Sequence, residues 1–350
     1  MASSPLATFP PTHANRTIVL CFDGTQNQIG DKNSLAWLEL NNRWLDLADD
    51  RICIFGFSRG AYTARALAAM LHKVGLLQRG NHRHIRYAWE AYTLTSEEGW
   101  KRAGIFKRYF GIEVDIEFIG VWDSVGSLGL NRFLPLTTNN TRIKAVRHAL
   151  ALDERRARYK ANVWGVGLSA PEGTAEIAPP TNAKGTKMTR RSSQIRDDER
   201  RLLALGRTYI PTSRKQLQTD VLEVWFAGCH SDVGGGNTPT DVRHALSKIS
   251  LRWMVRQCFL IRTGILFKED SLRKIGLDPV TLYPVVLPRP PPAAAVSDKD
   301  ALSEEEEDLL DLRCPIHDEL KNKLAWWILE ILPARKNYRG VDGDQKKGIE

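Results

Sequence analysis

Short apolar runs rich in β-branched residues alternate with amphipathic stretches along most of the chain. Thr17–Phe22 (TIVLCF) is apolar almost throughout and stops at Asp23-Gly24, the pattern of a buried strand meeting a turn. Arg51–Phe57 (RICIFGF), Glu113–Trp122 (EVDIEFIGVW) and Leu222–Ala227 (LEVWFA) read the same way, and Val163–Leu168 reads as a shorter strand. Between them, Ala61–Leu77 is patterned as an Ala/Leu helix with Gly75 near its end. Arg142–Lys160 is patterned as a charged amphipathic helix, and Asp241–Ile261 as a helix capped by Thr240 or Asp241. Apolar runs without strict alternation are buried on both faces. The predicted class is therefore α/β, a mainly parallel sheet with helices on both faces.

The end of the chain has a different texture. Leu287–Pro292 (LPRPPP) and the acidic run Glu304–Asp308 predict a Pro-rich, then acidic linker over 286–312. Asp318–Leu332, with Trp326 and Trp327 adjacent, predicts an amphipathic helix packed on the core, with a partner or lipid-interface helix as the second reading. The expected organisation is one catalytic-type domain over 17–285, that linker, and a helical extension over 313–350.

Composition narrows the function classes. The 350 residues allow one or two domains, and 42% hydrophobic with 26% charged residues excludes wholesale disorder. Apolar runs fall short of the ~18 residues of a membrane span, and the first residues lack the basic-then-apolar pattern of a secretory signal, so a cytoplasmic location is expected. Cys21, Cys53, Cys229, Cys258 and Cys314 form no C-x-x-C pair, which argues against a disulfide framework or a thiolate zinc site. The net charge of +9 invites a nucleic-acid reading, but ten Lys and Arg residues fall within 184–215 alone. That stretch lacks interleaved aromatics and any recognisable module, which argues against nucleic acid. It reads as a basic, partly disordered insertion, with peripheral contact to an anionic membrane as the second reading.

The sharpest chemistry lies at Gly56-Phe57-Ser58-Arg59-Gly60. G-x-S-x-G is common by chance, and a Gly-rich turn with a helix-capping Ser is the plain alternative. Here, though, an apolar strand precedes the motif and a helix follows it, the context a nucleophile elbow needs. A serine alcohol needs a base, and the base needs an orienting acid. Asp123 follows one predicted strand and His230 another, so Ser58, Asp123 and His230 come in the α/β-hydrolase order. Asp232 is the alternative acid; its plain role is to hold the Gly234–Gly236 turn. The backbone N–H of Arg59 is the first candidate oxyanion donor, and the loop Asp23-Gly24-Thr25 is expected to supply the second. An aspartyl-phosphate phosphatase would need Asp where Cys21 stands. No P-loop or H-E-x-x-H occurs, and the chemistry calls for neither metal nor cofactor.

Four segments together, CFDGT, GFSRGAYTARALA, FIGVWDSVGSLG and WFAGCHSDVGGG, resemble the uncharacterised α/β-hydrolase-like family related to the catalytic domain of type VI secretion (Tle1-like) phospholipase effectors. HALALDERRARY (His148–Tyr159) resembles the same family, and the tail segments resemble its fungal members. The resemblance implies an α/β-hydrolase fold, a Ser–Asp–His triad at Ser58, Asp123 and His230, and an ester or phospholipid substrate. The family usually has a longer stretch between the FDGT and GFSRG segments, whereas Asp23 and Ser58 here stand only 35 positions apart. That departure carries the alternative reading, an inactive shortened member serving as a scaffold or anionic-surface binding protein.

Overall fold

The computed structural model describes residues 8–11, 16–24, 50–77, 80–125, 134–156, 159, 161–164, 201–210, 218–239, 241–296, 302–322, 327, 335–339 and 345–349. At its centre is a five-stranded sheet made of β1 (Thr17–Phe22), β2 (Arg51–Phe57), β3 (Ile116–Trp122), β4 (Ile143–Ala151) and β5 (Asp220–Phe226). The strands lie side by side in sequence order, and every neighbouring pair is parallel. The α/β class read from the sequence holds.

Alternate side chains of a strand point to opposite faces, and both faces of this sheet are covered. Ile52 and Ile54 of β2, with Ile119 and Val121 of β3, pack against α1 (Arg59–Val74). Beyond α1 lie α2 (Ile85–Thr93) and α3 (Glu97–Phe110), whose Trp100 is fully buried. On the other face, Cys53, Phe118 and Ala145 meet Met254 and Cys258 of α5 (Leu246–Leu260), the helix after the five-residue α4 (His230–Gly234). Gly120 marks the closest approach there: a Cβ on it would lie 2.6 Å from the Phe55 ring and 2.8 Å from the Met254 sulfur.

Four sequence expectations need correction. Residues 143–151, within the predicted helix Arg142–Lys160, are the interior strand β4. Of the charges that mimic a helical period, Lys144 is exposed, whereas Arg147 and His148 are buried, each with a partner. Arg147 donates through Nε to Gln257 Oε1 at 2.7 Å, and His148 holds Glu223 and the Ser124 backbone. The helix expected from Asp241 begins at Leu246, because Arg243 and His244 turn aside to pair with Glu307 and Asp311. The acidic run expected as linker is a helix, α6 (Glu304–Leu312), opened by a capping box in which Ser303 N–H donates to Glu306 Oε2 at 2.8 Å and Glu306 N–H to Ser303 Oγ at 3.3 Å. Arg252, 2% exposed, fixes it to α5 by donating to Asp308 at 2.8 Å and to Asp311. Val163 and Trp164 are not in a strand; the rest of that predicted strand lies outside the described residues.

Within the basic stretch, residues 201–209 are helical, with Leu202 buried and Gly206 3.2 Å from Trp100 through an added Cβ; residues 184–200 and 211–215 lie outside the described residues. Of the helix expected over Asp318–Leu332, Glu319–Asn322 is helical, while 323–326 and 328–332 lie outside the described residues. The helical extension expected over 313–350 needs a further correction, because Arg335–Arg339 and Gln345–Ile349 pair as antiparallel strands. Among the described residues, no helix is long and apolar enough to cross a membrane.

The buried His148 generates a pH prediction. The ring is fully enclosed, and burial pushes its pKa below the ordinary 6.5, against the opposing pull of Glu223. As pH falls below about 6.5 the unfolded chain takes up a proton that the folded ring resists, so stability is lost in that direction. His148→Gln, which keeps an acceptor for Ser124 N–H, is expected to flatten this limb of the urea-unfolding profile between pH 7 and pH 5.

Candidate active site

At the C-terminal edge of the sheet, β2 passes into α1 through a single residue, Ser58, with φ 59° and ψ −120°. Positive φ is costly for a residue with a side chain, and neighbouring structure must over-determine it. Ser58 N–H donates to Trp122 O at 3.0 Å, extending the β2–β3 ladder past the strand end, while Ser58 O accepts from Tyr62 N at 3.3 Å. The flanking glycines are steric requirements. A Cβ on Gly56 would lie 2.5 Å from Gly60 O, and one on Gly60 would lie 2.3 Å from Phe22 O at the end of β1. The Asp23-Gly24 loop is equally close, with a Cβ on Gly24 falling 2.9 Å from Ser58 Cβ.

Three side chains from three strand ends then converge. Ser58 Oγ lies 2.7 Å from His230 Nε2, and His230 Nδ1 lies 2.6 Å from Asp123 Oδ2. All three residues are at most 5% exposed. A carboxylate only accepts, so Nδ1 carries the proton it shares with Asp123, and Nε2 is left to accept the Ser58 hydroxyl. Asp123 is itself locked: φ is 37°, its N–H donates to Ala149 O at 2.7 Å, and Oδ1 accepts Ala151 N–H at 3.2 Å. His230 is the first residue of α4, and its ring lies between Phe57, 4.6 Å away at 34°, and the edge of Tyr159, 4.9 Å away at 72°. Gly234 admits the Phe57 ring, which a Cβ would approach to 2.0 Å.

The structure thus brings Ser58, Asp123 and His230 together and leaves Asp232 apart from the His230 ring. Asp232 instead accepts from Cys229 N at 3.0 Å, Asn237 Nδ2 at 2.7 Å, and both His317 N at 3.0 Å and His317 Nδ1 at 2.7 Å. Burial raises its pKa, but these donors outweigh it and hold the carboxyl below the usual range. In the expected oxyanion loop, Asp23 Oδ1 accepts Gly24 N–H at 2.6 Å; Thr25 lies outside the described residues. Arg59 N–H belongs to the first turn of α1, where a backbone donor has no intrahelical acceptor.

A supporting layer escaped the sequence reading. Glu154 accepts His230 N–H at 3.2 Å and pairs with Arg156 through Nε at 2.8 Å and Nη2 at 2.7 Å. Burial raises the Glu154 pKa, yet Arg156 holds it below the usual range, and the same guanidinium lies 3.6 Å over the Tyr159 ring. On the opposite side of Asp123, Ser124 N–H donates to His148 Nε2 at 3.1 Å, and His148 Nδ1 lies 2.7 Å from Glu223 Oε1. The sequence signal was the stretch His148–Tyr159, legible as family-like but patterned as a helix.

The family model described as "T6SS, Phospholipase effector Tle1-like, catalytic domain" matches residues 36–257. A curated relative, "Uncharacterized protein YEL023C" of Saccharomyces cerevisiae, is 26% identical over an alignment of 423 residues that covers 85% of this chain and 60% of the yeast protein. This chain therefore spans well under the full length of that relative. Two solved structures are also similar. One, titled as an uncharacterized protein from Pseudomonas aeruginosa, is 19% identical at a TM-score of 0.30 and covers 61% of this chain and 24% of its own. The other, titled as the Tle1 effector bound to the VgrG spike from the Type 6 secretion system, is 17% identical at 0.26 and covers 61% and 31%.

The elbow's tight packing can be tested directly. Gly60→Ala places a methyl against the Phe22 carbonyl, a backbone atom that cannot rotate away. The urea-unfolding midpoint is expected to fall by the equivalent of about 1–3 kcal/mol, the usual cost of overpacking.

Proposed function

The chain belongs to the T6SS phospholipase effector Tle1-like catalytic domain family, and from that membership we propose that it hydrolyses carboxylic esters through Ser58, His230 and Asp123. The observation that carries this reading is the continuous hydrogen-bonded series from Ser58 Oγ through the His230 ring to Asp123, at 2.7 and 2.6 Å. It supports an assembled site over an inactive scaffold, despite the short connection between Asp23 and Ser58.

In this mechanism Ser58 Oγ attacks the ester carbonyl while His230 Nε2 removes its proton. Asp123 keeps the ring in the tautomer that can accept and stabilises the imidazolium that forms. Arg59 N–H, at the positive end of α1, faces the developing oxyanion, and the loop after β1 is the source of a second donor. The tetrahedral intermediate collapses, the alcohol leaves with the proton from His230, and Ser58 holds the acyl group as an ester. Water, deprotonated by His230, then attacks that ester; the carboxylic acid departs and Ser58 regains its proton. The substrate class follows the family: a glycerophospholipid or similar lipid ester. The Arg59 side chain, with Nε buried and without a hydrogen-bond partner among the described residues, places positive charge beside the nucleophile, which suits a substrate carrying a phosphodiester. Membrane contact through the basic stretch 184–215 rests mainly on residues 184–200 and 211–215, which lie outside the described residues.

Purified protein is expected to react covalently with a fluorophosphonate probe, and Ser58→Ala to abolish that labelling. Asp123→Asn keeps the shape but favours the wrong tautomer, and should lower kcat on a soluble ester by about 10⁴-fold. Wild-type protein that shows neither labelling nor Ser58-dependent esterase activity overturns the hydrolase reading.

A further inference from the structure

Helix α4, which carries His230, has only five residues, too few to hold its own orientation in water. Its direction is therefore set by what grips it, and a large part of that grip comes from far along the chain. Asp232, 4% exposed and two residues after His230, takes four donors, two of them from His317: the backbone N–H at 3.0 Å on Oδ2 and Nδ1 at 2.7 Å on Oδ1. The next residue, Asp318, accepts from Arg155 Nη1 at 2.9 Å. Arg155 adjoins Glu154, whose carboxylate accepts His230 N–H at 3.2 Å. Residues 317–318 thus tie together the two loops that hold His230, one through Asp232 and one through Arg155. The segment is in turn anchored by α6, which Arg252 binds through Asp308 and Asp311.

We propose that His317 is a positioning residue for the hydrolase site: by clamping Asp232 it sets the angle of α4 and so keeps His230 in line between Ser58 and Asp123. The proposal rests on the serine hydrolase reading. It makes the segment after α6 part of the working site, although the family match ends at residue 257. A shift of well under a turn of α4 would swing Nε2 out of reach of Ser58, and misplacements of that size are expensive in rate.

Four forms of the full chain test it: wild type, His317→Ala, His317→Asn and Ile143→Ala. His317→Ala removes the side-chain donor. His317→Asn restores an N–H close to the position of Nδ1. Ile143, fully buried, opens β4 at the end of the sheet away from the site, so Ile143→Ala leaves a cavity remote from His230 and reports what loss of stability alone does. The expected result is a kcat about 10-fold lower for His317→Ala with KM within twofold, most of it recovered by His317→Asn. Ile143→Ala should lower Tm at least as much and leave kcat unchanged. The proposal is overturned if His317→Ala costs no more kcat than Ile143→Ala, if the loss falls in KM, or if His317→Asn does not recover it. The downfield proton resonance of the His230 Nδ1–H shared with Asp123 gives an independent reading that requires no turnover. If His317→Ala displaces it while wild type lacks esterase activity, the hydrolase reading fails and the positioning role stands. If the resonance stays in place, the positioning role fails whatever the enzyme does.

Discussion

The left-handed backbone of Ser58 is the constraint around which the C-terminal edge of the sheet is organised. It is stable only because the structure leaves no room for an alternative. Phe22 at the end of β1, Trp122 at the end of β3 and the first turn of α1 all press on the same five residues. Gly24, Gly56 and Gly60 are the points at which those elements touch. Their absent side chains let three strands and a helix come close enough to present one hydroxyl above the sheet.

Around that turn the protein buries polar groups rather than avoiding them. Asp123, Arg147, His148, Glu154, Arg156, His230 and Asp232 are all largely enclosed, and each has a named partner. Unpaired, such groups would each cost on the order of 1–3 kcal/mol or more. Paired, they convert a loop-rich edge into fixed geometry. Two histidine–carboxylate pairs lie on either side of the Asp123–Ser124 backbone, and they do different work. His230 turns its free nitrogen toward Ser58, while the second nitrogen of His148 is occupied by Ser124 N–H. The first is poised for proton transfer; the second holds a peptide in place.

The legible parts of the sequence were those governed by sterics and by uninterrupted apolar runs. β1, β2, β3 and β5 were recognisable as short apolar runs, of which β2 and β3 are interior strands with both faces packed and β1 and β5 are the edges. The Ser58 elbow was recognisable because its glycines have fixed offsets. β4 was not, since Arg147 and His148 satisfy their polarity with Gln257, Asp220, Glu223 and Ser124, partners that spacing along the chain cannot announce. The choice between Asp123 and Asp232 turned on which carboxylate faces the imidazole: Asp232 stands only two residues after His230 but bonds Cys229 N–H, Asn237 and His317 instead. For α6 the signal was present, a Ser303 to Glu306 capping box, but a run of glutamates reads first as solvated linker. His317 was beyond reach, for its partner lies 85 positions earlier.

The strand order has a temporal side. Because β1 to β5 lie next to one another as they occur in the chain, the sheet can be laid down one neighbour at a time as synthesis proceeds from the N-terminus. The residues at its upper edge arrive on that same schedule: the alcohol with β2, the carboxylate with β3, the imidazole only after β5. Between the first and the last of these the ribosome adds 172 residues. Throughout that interval Ser58 sits on a nascent protein without its base, an inert alcohol until the far half of the chain has emerged.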